Sequence, residues 1–106
     1  MPKYMIQASY TPEGLKGLQK DKATGRREVA SHALGKLGGK LESMHFALGE
    51  QDVVIIAELP DHVSAAAIAL GVSASGLVRT KTTALLTVEE TDQALGKKLD
   101  YRAPGR

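Results

Sequence analysis

Polar and apolar positions alternate from Lys3 to Tyr10, with Tyr4, Ile6, Ala8 and Tyr10 on one side and Met5, Gln7 and Ser9 on the other. A period of two marks a strand, and apolar groups on both sides predict an inner strand covered on both faces. A second alternating stretch, Lys40 to Leu48, sends Leu41, Ser43, His45 and Ala47 one way and Glu42, Met44, Phe46 and Leu48 the other. After Gly49-Glu50-Gln51, Asp52 opens the run Val53 to Leu59, whose Val-Val-Ile-Ile core suits a strand buried on both faces. Each of those side chains left in water would forfeit about 1.5–3 kcal/mol, so this strand is predicted to be central. Pro60 ends it, because proline cannot donate to a ladder. A fourth strand, Leu77 to Val88, places Arg79 and Lys81 on one face and Thr80 and Thr82 on the other, a pattern suited to an edge or a pocket wall.

The intervening segments carry helical spacing. Thr11 is a candidate N-cap and Pro12 stands at the first helical position, where its missing N–H is harmless. Asp21 to Gly25 predicts a kink, since Thr24 and Gly25 disfavour a smooth helix. A second helical piece then runs to Leu37, with Val29, Ala30, Ala33, Leu34 and Leu37 as its buried stripe, and Gly38-Gly39 stops it. Asp61 is a candidate cap for a helix from about His62 to Ala74, with Val63, Ala66, Ala67 and Leu70 expected inward. Thr87 or Thr91 would cap a last short helix around Leu95 and Leu99.

The order β-α-β-β-α-β plus a C-terminal helix predicts an α+β, ferredoxin-like fold with a four-stranded antiparallel sheet, strands one and three in the middle. One domain is expected over residues 1–100, followed by a polar, mobile tail at 101–106. The chain of 106 residues has 42% apolar residues, four aromatic residues and no cysteine, so the core is aliphatic and disulfide scaffolds, thiolate zinc sites and cysteine nucleophiles are excluded. No apolar run approaches the roughly 18 residues of a membrane span, and no apolar leader precedes the first strand, so a cytoplasmic protein with no membrane partner is expected. Net charge is +2; Lys16, Lys20, Lys22, Arg26 and Arg27 are interleaved with Glu13, Asp21 and Glu28, which reads as a solvated helix face and not a nucleic-acid surface.

Tyr4 to Thr11 followed by Pro-Glu-Gly14, Lys36-Leu-Gly-Gly-Lys40, Leu48-Gly-Glu-Gln-Asp-Val-Val-Ile-Ile56, Glu58-Leu-Pro-Asp61 and Val78-Arg-Thr-Lys-Thr82 together resemble the GYD domain family, in order, from residue 2 to about residue 99. Gln51 departs from the family pattern, standing where a tyrosine precedes the hairpin aspartate. The resemblance implies a dimeric α/β barrel, in which two ferredoxin-like sheets pack face to face, a class that holds monooxygenases, isomerases and ligand-binding regulatory domains. Two-sided apolarity in the strands points the same way, because two helices cover one face only and a second copy is the simplest cover for the other.

Among chemistry-bearing residues, His45 is the candidate acid or base, against an exposed edge-strand histidine. Asp52 is an acceptor for backbone N–H groups at the hairpin, and Glu58 pairs with Arg79 or Lys81 on the last strand or serves as a base. Tyr10, Arg79 and Thr82 could line a cleft, Arg79 suiting a carboxylate or phosphate. The candidate ligand-binding set is therefore Tyr10, His45, Asp52, Glu58, Arg79 and Thr82. His32, His45 and His62 show no metal spacing, and neither a phosphate loop nor a cofactor is indicated. A homo-oligomeric small-ligand-binding domain is the leading expectation. The alternative is a small cofactor-independent enzyme, of monooxygenase or isomerase type, using His45 with Tyr10 or Arg79.

Overall fold

The computed structural model describes residues 1–106. Strand β1 (Lys3–Tyr10) leads into helix α1 (Pro12–Lys36), then β2 (Lys40–Phe46), β3 (Val53–Glu58), α2 (His62–Ala74), β4 (Val78–Leu85) and α3 (Val88–Leu95). The sheet order is β2-β3-β1-β4, antiparallel throughout, with β1 and β3 in the centre as the apolar runs predict. The fold is the expected α+β ferredoxin-like one. No helix is long and apolar enough to cross a membrane.

Local signals set the helix ends. The Thr11 hydroxyl accepts the Gly14 N–H, Asp61 accepts the Ser64 N–H, and Thr87 forms a reciprocal capping box with Glu90. Gly38 takes a positive φ of 77° just past α1. The predicted kink falls at Lys22, with φ 65° and ψ 166°, a conformation that strains a residue bearing a Cβ; Thr24 and Gly25 remain helical.

Both long helices lie on one face of the sheet. The core joins Tyr4 and Ile6 of β1, Ala57 of β3 and the following Leu59 to Leu34 of α1 and Ala65 of α2. Here the expectation for α2 is corrected. Its buried side is Ala65, Ile68, Ala69 and Val72, whereas Val63 and Leu70 are 78% and 72% exposed and Ala66 and Ala67 face solvent. The helix is apolar all round, so no polar stripe marks its outer face.

No helix covers the opposite face. The register places there Met5, Gln7 and Ser9 of β1, Val54, Ile56 and Glu58 of β3, His45 of β2, and Arg79, Lys81 and Thr83 of β4. Helix α3 makes no substantial contact with the rest of the chain. Leu86, Val88, Leu95 and Leu99 on and around it are all exposed. The radius of gyration is 16.8 Å, against about 13 Å for a compact chain of this length, because this arm projects.

Candidate functional site

Between the helices and the covered face of the sheet lies an apolar cavity of about 110 Å³. Its floor is Ile6 and Ala8 of β1, Val53 and Ile55 of β3, and Val78 of β4. Its roof is Val29, Ala30 and Ala33 of α1 with Ile68 and Val72 of α2. Small side chains in the roof leave the space: two alanines of α1 stand where larger residues would close it. The only polar side chains in its wall, apart from the tyrosine hydroxyl, are Arg26 and Thr80.

A second, more polar cavity of about 240 Å³ adjoins the first, lined by Gly14, Gly17, Leu18 and Asp21 of α1 and by Ser75 and Leu77 after α2. Tyr10, Arg26, Val72 and Val78 line both, so they stand where the two compartments meet. The kink at Lys22 divides α1 accordingly: the turns before it wall the outer compartment, and those after it roof the inner one.

Tyr10 is held in place by the hairpin. Its backbone N–H donates to Asp52 Oδ2 at 2.8 Å, and the Asp52 N–H donates to the Ala8 carbonyl at 2.8 Å. Gln51 joins the same set of contacts, its Oε1 accepting the Ser9 hydroxyl at 2.9 Å. Gln51 thus ties the hairpin to β1.

The remaining sequence candidates do not converge in one chain. Thr82 is on the covered face opposite Ile6, with a buried hydroxyl that has no hydrogen-bond partner. His45 is exposed on edge strand β2, on the uncovered face. The row His45–Val54–Gln7–Lys81 crosses the whole sheet, so His45 and β4 are separated by three strand spacings, about 14 Å. Tyr10 points to the other face. The expected Glu58–Arg79 or Glu58–Lys81 pair is corrected: Glu58 is level with Lys3, and Arg79 with Ser9, six residues further along β1, about 20 Å away. Glu58 instead lies 4.0 Å from the N-terminal ammonium. No three His, Asp or Glu side chains gather in a metal-binding arrangement.

Two side chains make contacts that the sequence pattern does not show. Arg26 belongs to the interleaved charged run of α1, and its spacings of four and seven from Ala30 and Ala33 put it on their helix face. His62 is exposed at the start of α2, and its Nδ1 is 2.8 Å from Tyr4 Oη with its ring edge-on to the tyrosine.

A family model for the GYD domain matches residues 4–95. The chain belongs to the GYD domain family. The match takes in every element from β1 to α3, and with it both compartments of the cavity. No curated protein and no solved structure matches significantly.

Proposed function

We propose that this GYD domain protein is a homo-oligomeric small-ligand-binding domain, and that the ligand enters the cavity between the helices and the sheet. The observation that carries the reading is the apolar inner compartment opening at Tyr10 and Arg26 into a polar one, the form of a small-molecule site: mostly apolar walls with few polar groups at one end. The experiment is titration of 1-hexanol, a neutral probe sized for the inner compartment, into the protein and into Ala33→Leu, which fills the roof. Binding lost in the filled variant supports the site; equal binding by both contradicts it.

Self-association is supported by two surfaces on the same chain. The uncovered sheet face presents Met5, Val54 and Ile56 at its centre, with the basic Arg79 and Lys81 on β4 at one end and Glu58 and the ion-paired Lys3 at the other. The projecting arm carries apolar Val88 and Leu95 together with acidic Glu89, Glu90 and Asp92. The two surfaces are complementary in polarity and in charge, which favours a second copy of this chain as the partner. A light-scattering mass of one chain at micromolar concentration would contradict it. The absence of cysteine suits a reducing compartment such as the cytoplasm.

A further inference from the structure

We infer that the ligand is a short apolar monoanion, a carboxylic acid with a body of about four to six carbons, and that Arg26 binds its charged end; this rests on reading the cavity as a ligand site. The inner wall bears one charged group, Arg26, and the Thr80 hydroxyl in it is already within 3.4 Å of the Ser73 hydroxyl. Arg26 lines both compartments, and a carboxylate at their junction meets its two-pronged donor geometry, which an apolar guest does not engage. The one acid beside it is Asp21, at 3.6 Å across the Lys22 kink. Both side chains of that pair are substantially exposed, so it binds Arg26 weakly, and an incoming carboxylate can take its place.

Charge and size narrow the class. Asp21 repels any anion in the outer compartment, and a dianion such as a phosphate monoester meets about twice the repulsion of a monocarboxylate with only Arg26 to offset it. An apolar cavity of about 150 Å³ holds a benzene ring, so 110 Å³ accommodates a slightly smaller body, with the head group in the outer compartment.

The test is calorimetric or NMR titration of hexanoate and 1-hexanol into the wild-type protein and Arg26→Gln. Hexanoate is expected to bind the wild type about tenfold more tightly than hexanol, the size of one charge-assisted hydrogen-bonded contact. In Arg26→Gln that preference disappears while hexanol binding persists, which also reports that the variant is folded. Equal binding of the two probes by the wild type, a comparison that needs no variant, overturns the inference and leaves the cavity as a neutral apolar site. So does an undiminished acid preference in Arg26→Gln. Failure of both probes to bind the wild type removes the ligand site itself, and the inference with it.

Discussion

The Asp52 carboxylate accepts the backbone N–H of Tyr10 at 2.8 Å, tying the β2–β3 hairpin to the last residue of β1. Because Tyr10 lines both compartments, this contact couples the hairpin to the site. Asp52→Ala leaves a partly buried N–H unsatisfied and is expected to destabilise by about 1–3 kcal/mol. It should also weaken 1-hexanol binding, since Tyr10 loses its anchor. Urea unfolding with a parallel titration checks both effects; unchanged stability would mean that the hairpin holds without this bond.

Gly14 allows α1 to touch the turn before β4. A Cβ there would overlap the Leu77 carbonyl, a backbone group that cannot rotate away and already accepts the Thr11 N–H at 3.0 Å. Gly14→Ala is therefore expected to destabilise by about 1–3 kcal/mol, the scale of an overpacked core. Gly17, one turn on, has nothing within 4 Å of its Cβ position. Gly17→Ala is expected to stabilise by up to about 1 kcal/mol through helix propensity alone. Opposite signs in the two unfolding midpoints confirm the close approach; two stabilised variants would refute it.

Thr82 buries a hydroxyl with no hydrogen-bond partner. Replacing it with valine removes the unsatisfied group at nearly constant volume, so Thr82→Val is expected to stabilise by about 1 kcal/mol. A destabilised variant would show that the hydroxyl finds a partner in solution. Chemical denaturation distinguishes the outcomes.

Asp61 caps α2, and the Ser64 N–H bonded to it at 2.8 Å holds its carboxyl below the ordinary carboxylate value, helped by the Ser64 side chain. The folded state therefore favours the charged form. The stability this contributes is fully present above the unfolded value of about 3.9 and is lost as pH falls through the lower folded value. Asp61→Asn keeps a capping oxygen without a titrating group. The stability difference between wild type and Asp61→Asn should narrow as pH is lowered from about 5 to about 2, whereas a pH-independent difference would exclude the linkage.

Strands and caps were legible in the sequence because their signals are local. The Val53–Ile56 run needs burial on both sides, and Thr11, Asp61 and Thr87 satisfy N–H groups three residues away. The burying face of α2 was not legible, since Val63 and Leu70 are as apolar as Ile68 and Val72. Glu58 and Arg79 suggest a pair by type, but sheet register places them at opposite ends of β1. Of the candidate site residues, Tyr10 alone lines the cavity. A cavity is a deficit of volume summed over elements far apart in the chain, and no spacing records it. Arg26 was hidden by its charged neighbours, although it lies on the stripe of Ala30 and Ala33.

The most direct test of the ligand-binding claim is methyl NMR during titration with hexanoate. Ile6, Val53, Ile55, Ile68 and Val72 line the cavity, while Val54 and Ile56 lie on the uncovered face of the same sheet. Saturable shifts are predicted for the first group, with the second nearly unmoved. Shifts confined to Val54 and Ile56, or none at either set, would contradict a ligand site between the helices and the sheet.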